Sequence, residues 1–112
     1  MRRSAVTPCP RDLTTIHQCL SDETRRRVLN LLVRGPLRVQ QIEEVLSLRQ
    51  ALVSRHLGYL RKRGVVEAER EGKSVTYSLP GVRTPELQAN LDCLQKCARG
   101  WAVYEKDLRE LG

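Results

Sequence analysis

The segment 47–64, SLRQALVSRHLGYLRKRG, constrains this chain more than any other. Leu48, Leu52 or Val53, Leu57 and Leu60 recur at helical spacing, so one face can be buried. The other face carries Arg49, Gln50, Ser54, Arg55 and Arg61, followed by Lys62 and Arg63. No acidic residue lies between Glu44 and Glu67. A solvated helix ordinarily mixes both signs of charge, because like charges one turn apart repel. A face that keeps only positive charge, interleaved with Gln and Ser, suits an anionic surface. Arg and Gln are also the side chains that pair bidentately with guanine and adenine edges in the major groove. The segment therefore reads as a DNA-recognition helix. In isolation the plainer reading, a basic surface helix, is the stronger one, and the flanks decide the matter.

On the C-terminal side Gly64 ends the helix. The stretches 65–70 and 74–79 then read as strands around Glu71-Gly72-Lys73, with Val75, Tyr77 and Leu79 alternating onto one face. Arg70 and Lys73 place positive charge at the hairpin tip, within reach of a backbone phosphate. On the N-terminal side a third helix carries Val39, Ile42, Val45 and Leu46, joined to the basic helix by the tight connection Ser47-Leu48. Two helices joined by so short a turn form a helix-turn-helix unit. With the hairpin that follows, the fold expected is mainly α with a two-stranded β-hairpin wing.

Residues 1–10, with Pro8 and Pro10 and no periodicity, read as a flexible basic arm, and residues 11–112 as one domain. A short helix over 11–20 puts Leu13, Ile16 and Leu20 on one side. Ser21 or Asp22 caps the next helix, which runs to about Val33 and is closed by Arg34-Gly35-Pro36. After Pro80-Gly81, Thr84-Pro85-Glu86 starts a last helix. Its stripe is Leu87, Leu91, Leu94, Ala98, Trp101, Tyr104, Leu108 and Leu111, with Gly100 as a soft point able to kink or split it. A small domain has little surface on which to bury so long a stripe. The terminal helices are therefore expected to form a homodimer; the alternative is that they cap their own protomer.

Composition narrows the partner. At 112 residues the chain has room for one modest core, and its net charge of +7 and pI of about 9.7 call for a polyanion. No apolar run approaches the ~20 residues of a membrane span, and no signal peptide is evident, so no membrane partner and a cytoplasmic location are expected. In that reducing compartment the four cysteines are expected as thiols. Phe is absent, which weighs against a base-stacking surface for single strands. His17 and His56 sit outside any catalytic motif, and no phosphate-binding Gly-rich loop appears, so an enzyme is not expected. A protein-binding winged helix is the third class, but it would not require an uninterrupted basic face.

From about Leu20 to Leu79 the chain resembles the ArsR/SmtB family of winged-helix repressors. The resemblance rests on LSD-TR before the second helix, VSRHL-YLR-GVV across the recognition helix and REGK-V-YSL through the wing. It implies a homodimer that binds operator DNA and leaves it when an inducer binds. It also implies DNA contacts at Gln50, Ser54 and Arg55, with Arg49 and His56 nearby; His56 reads equally as a structural residue. Metal-sensing members often carry Cys-x-Cys at the start of the third helix, where this chain has Arg38 and Gln40. Another family site uses His, Asp and Glu on the last helix, which here lacks His. Zinc, nickel and cobalt are therefore not expected as inducers.

What the last helix does hold is Cys93 and Cys97, one turn apart with Cβ atoms roughly 6 Å from each other. That spacing can present two thiolates to one soft ion and is long for an unstrained disulfide. Arsenite or antimonite, the inducer expected first, requires a third thiolate, and Cys19 and Cys9 are the candidates, from the same protomer or its partner. Free cysteine is also a common core residue, a reading that fits Cys19 better than the pair flanked by Asp92, Gln95 and Lys96. A nearby lysine favours thiolate, so redox or persulfide sensing by the same pair is the alternative.

Overall fold

The computed structural model describes residues 7–112. Along these residues run α1 (Leu13–Cys19), α2 (Glu23–Leu32), β1 (Leu37–Arg38), α3 (Val39–Leu46), α4 (Gln50–Lys62), β2 (Glu67–Glu71), β3 (Ser74–Ser78), α5 (Pro85–Ala98) and α6 (Ala102–Leu111). This is a winged helix-turn-helix.

Local chemistry sets the helix ends. Asp12 caps α1 through the Thr14 and Thr15 amides, and Asp22, not Ser21, caps α2 by accepting from the Arg25 amide. Thr84 caps α5 ahead of Pro85. Between α3 and α4 the chain turns at Ser47, in the left-handed conformation at φ 56°, where its N–H donates to the Glu43 carbonyl at 2.9 Å. The core forms where α2, α3 and α4 meet: Leu29, Leu32, Ile42, Val53, Leu57 and Leu60 are all sealed from solvent. Of Leu52 and Val53, it is Val53 that is fully buried.

The wing is a three-stranded antiparallel sheet of order β1-β3-β2 rather than a lone hairpin. The extra strand, β1, pairs Leu37 with Tyr77 and Arg38 with Thr76, tying the wing to the start of α3. Two residues beside Pro36 offer no alternation to read from sequence. At the tip Glu71 pairs with Ser74 across Gly72-Lys73, and Gly72 has φ +61°. A glycine at the first position of a two-residue turn is the arrangement that matches strand twist.

The C-terminal stripe does not form one helix. The chain breaks at Gly100, and α6 turns back onto α2 and α3. Two arginines hold it there. Arg26 Nε donates to the Tyr104 hydroxyl at 3.0 Å, and Arg27 makes a bidentate pair with Asp107, Nε to Oδ2 at 2.8 Å and Nη2 to Oδ1 at 2.9 Å. Asp107 is only 1% exposed, whereas Trp101, expected on the stripe, is 56% exposed. Leu87, Leu91, Leu94, Ala98 and Tyr104 are buried within their own protomer. The spare apolar stripe invoked for a dimer is thus already covered. A narrower strip, Ala89, Cys93 and Cys97 on α5, remains exposed.

The arm also departs from expectation. Residues 1–6 lie outside the described residues, but 7–10 pack on the domain. The Pro8 carbonyl lies so close over Gly64, at φ +80°, that a Cβ there would overlap it. The Pro10 carbonyl accepts from the Thr84 hydroxyl at 2.6 Å, so the arm's end is fastened where α5 begins.

Candidate nucleic-acid interface and thiol pair

The helix α4 turns Val53, His56, Leu57 and Leu60 inward, and Arg49, Gln50, Ser54 and Arg55 remain exposed on its N-terminal half. Its charge runs against its own dipole there. The first turn has no acid and no capping side chain, and Arg49 stands at the N-cap. A helix N-terminus carries partial positive charge that stabilises carboxylates and phosphates, so arginine there adds repulsion unless an anion is present. Arg61 and Lys62 need no such explanation, because cations at the C-terminal end complement the dipole. Arg63 is occupied as well: its guanidinium lies 3.4 Å from the Tyr59 ring centroid, and Nη1 donates to the Tyr59 carbonyl at 3.0 Å. The unexplained charge is therefore concentrated on Arg49 and Arg55.

Arg70 and Lys73 are exposed at the wing tip. The wing is less uniformly basic than its tip suggests, for Glu67, Glu69 and Glu71 share one face of β2 by strand alternation.

His56 is not on this surface. It is 7% exposed, and Arg25 Nη1 lies 3.3 Å from its Nδ1. Arginine can only donate, so Nδ1 accepts and the ring proton resides on Nε2, 3.8 Å from Asp22 Oδ1. Burial first, then the charges of Arg25 and Arg55, push the His56 pKa down, against a raising influence from Asp22. Asp22 itself is desolvated, yet the Arg25 amide and the charges of His56 and Arg25 lower its pKa overall. The expected DNA contact is instead a joint between α2 and α4. Arg25 extends that joint, donating from Nε to the Cys19 carbonyl at 3.0 Å and from Nη2 to the Gln18 carbonyl at 2.8 Å. Both carbonyls lie at the end of α1, where the helical ladder runs out, and that of Gln18 also accepts from the Ser21 amide at 3.3 Å and the Ser21 hydroxyl at 2.8 Å.

The four cysteines do not meet. Cys93 and Cys97 are exposed with their sulfurs 3.9 Å apart. Their hydrogen bond, and then the charge of Cys93, raise the Cys97 pKa. Lys96 is not among the groups that shift Cys97, so the expected help from a neighbouring lysine is not what governs this thiol. Cys19 is buried in the core, and burial raises its pKa despite Arg63 and Arg25. Cys9 is half-buried beside Thr84, whose amide donates to Sγ at 3.5 Å. Thr84 is nine positions before Cys93, or about 13 Å along a helix. Among the described residues no group of three His, Cys, Asp or Glu is placed to hold a metal ion.

A winged helix-turn-helix with an unopposed basic helix face is an architecture of DNA-binding proteins. The family model described as "Bacterial regulatory protein, arsR family" matches residues 22–68. Over 93 residues the chain is 33% identical to the probable mercury resistance operon repressor of Streptomyces lividans, covering 81% of this chain and 74% of that protein. Over 82 residues it is 37% identical to the arsenic resistance transcriptional regulator ArsR1 of Pseudomonas putida, covering 72% of this chain but only 61% of that protein. Among solved structures, reduced HlyU from Vibrio cholerae N16961 superposes with a TM-score of 0.69 at 26% identity, covering 78% of this chain and 88% of that one. The chain belongs to the arsR family of bacterial regulatory proteins. No helix among the described residues is long and apolar enough to cross a membrane.

Proposed function

We propose that the protein is a homodimeric transcriptional repressor that grips double-stranded operator DNA with the N-terminal half of α4 and lets go when a thiophilic inducer binds Cys93 and Cys97. The observation that carries the first half is the first turn of α4, where an arginine cap and no acid make sense only beside an anion. Arg49 and the helix N-terminus would seat a phosphate, Gln50, Ser54 and Arg55 would face base edges, and Arg70 and Lys73 would meet the backbone beside the groove.

Two exposed thiols at 3.9 Å support the second half. Arsenite and antimonite take three thiolates, so one more sulfur has to come from elsewhere. Cys19 is sealed in the core, and Cys9 of the same protomer sits at the far end of α5. If α5 lies at the dimer interface and crosses its two-fold axis at a right angle, the two copies of α5 run antiparallel, and the N-terminal end of one helix meets the C-terminal end of the other. Cys9 of the partner subunit is thus the third ligand that fits. Binding would then cross-link the protomers and reset the spacing of the two α4 helices. It releases DNA only to the extent that the released form binds the ion better.

The second reading, a thiol redox or persulfide switch, draws on the same pair, since no third group is needed to join two sulfurs already in contact. Fluorescence anisotropy on duplexes selected from a random pool separates the two. Arsenite should release the wild type, while Cys97→Ser and Cys9→Ser should each keep operator affinity and lose the arsenite response. Release of Cys9→Ser by polysulfide but of neither chain by arsenite would make the pair a redox switch instead.

A further inference from the structure

A cleft opens between the end of α2, the last turn of α5 and α6, with a volume of about 240 Å³. At about 100° per residue, Ala98 at the end of α5 and its C-cap Arg99 stand roughly 120–140° around the helix from the line through Cys93 and Cys97, so the cleft is separate from the thiol pair. Asn30 forms part of its wall and is the one polar residue of the apolar run VLNLL. The Asn30 amide is 4% exposed, and its nitrogen has no hydrogen-bond partner among the described residues. A buried donor without an acceptor is uncommon in folded proteins, and this one is free to donate to an oxygen. Arg34 and Arg99 flank the same opening, and neither enters an ion pair among the described residues. Glu105 is the single acid on the wall, and Ala98 and Leu108 supply its apolar surface.

Two cations against one carboxylate favour a monoanion, the unpartnered amide wants an oxygen acceptor, and the apolar wall favours carbon over an inorganic ion. We propose that this cleft binds a small organic monocarboxylate, its carboxylate held by Arg34 and Arg99 and an oxygen accepting from Asn30. The occupant would touch α2, α5 and α6 at once, giving the protein a second input that is independent of its cysteines.

The test uses the full chain carrying Cys93→Ser and Cys97→Ser, which keeps thiol chemistry out. Acetate, butyrate and benzoate are titrated while the sole tryptophan, Trp101, just before α6, reports by fluorescence and thermal unfolding is followed in parallel. Butyrate or benzoate should give a saturable signal and a higher Tm. Benzamide, benzylamine and inorganic phosphate should bind at least about tenfold more weakly. Asn30→Leu should weaken carboxylate binding by a similar factor. Exposed Arg99→Gln should do the same and keeps the test decisive if Asn30→Leu does not fold. The proposal is overturned by the absence of a saturable carboxylate signal at tens of millimolar. Equal binding of benzamide or phosphate, or undiminished binding in Arg99→Gln, would overturn it too.

Discussion

Two sets of arginines in this molecule look alike in sequence and do opposite work. Arg25, Arg26 and Arg27 form a continuous run on α2, and all three are turned to the protein: to the carbonyls at the end of α1 and the ring of Tyr59, to Tyr104, and to Asp107. Arg49 and Arg55 on α4 face solvent with no ion pair among the described residues. The denser charge run is internal fastening, and the sparser one is the candidate DNA surface. Net charge therefore overstates the electrostatic footprint, since part of the +7 is already committed inside the fold.

Removing an inward arginine should damage stability. Arg27→Ala strands the buried Asp107 carboxylate, at an expected cost of about 3–5 kcal/mol in urea unfolding. Replacing both partners with apolar residues, as in Arg27→Met with Asp107→Leu, should recover most of that loss, because desolvation of the pair offsets much of its attraction. Arg55→Ala in the same assay should stay within about 0.5 kcal/mol of wild type. An Arg27→Ala chain as stable as wild type would dissolve the contrast.

A second prediction concerns acid. His56 is held below its ordinary value by burial, so the unfolded chain takes up its proton first as pH falls. Stability should therefore decline from about pH 6.5 downward until the folded-state value is passed. Protonation also turns the Arg25–His56 contact into two donors facing each other. His56→Gln should flatten unfolding free energy across that window. Asp22, with its lowered pKa, acts in a more acid range, contributing stability that is lost as pH falls through its folded value. An unchanged slope in His56→Gln would mean that the α2–α4 joint does not titrate as described.

At the wing the expected effect is smaller and shows in salt dependence rather than stability. Lys73→Ala should weaken binding to all duplexes alike and reduce the slope of log K against log salt by about 1. Sequence-selective loss would instead place Lys73 at a base edge.

Much of this architecture could be read from sequence because it is written in local signals. Asp22 and Thr84-Pro85 mark helix starts, Gly64 an end, Gly72 a hairpin turn, and the apolar period of α4 its inward face. The departures all depend on partners distant in the chain. Arg27 meets Asp107 eighty residues away, and nothing local distinguishes it from a solvated arginine. Gly100 marks where the C-terminal stripe can split, but it is the clasp of Arg26 and Arg27 that reveals α6 folding back. His56 sits among basic neighbours in sequence but beside Arg25 and Asp22 in space. Asn30 is hidden in an apolar stripe, although a polar residue at a core position was the one signal available for the cleft. For the thiols, sequence spacing placed Cys93 and Cys97 together and left both other cysteines open, whereas the fold sends Cys19 into the core and Cys9 to the opposite end of α5.

The central claim is that the outward face of α4 reads DNA. It is tested most directly by the affinity of the Gln50→Ala, Arg55→Ala double variant for duplexes selected by the wild type, at fixed salt and beside random-sequence competitor. Each position should contribute about 1–3 kcal/mol of specific binding. The double variant should therefore fall close to its affinity for random DNA while unfolding at the same urea concentration as wild type. Undiminished preference for the selected duplexes in that variant would contradict the account.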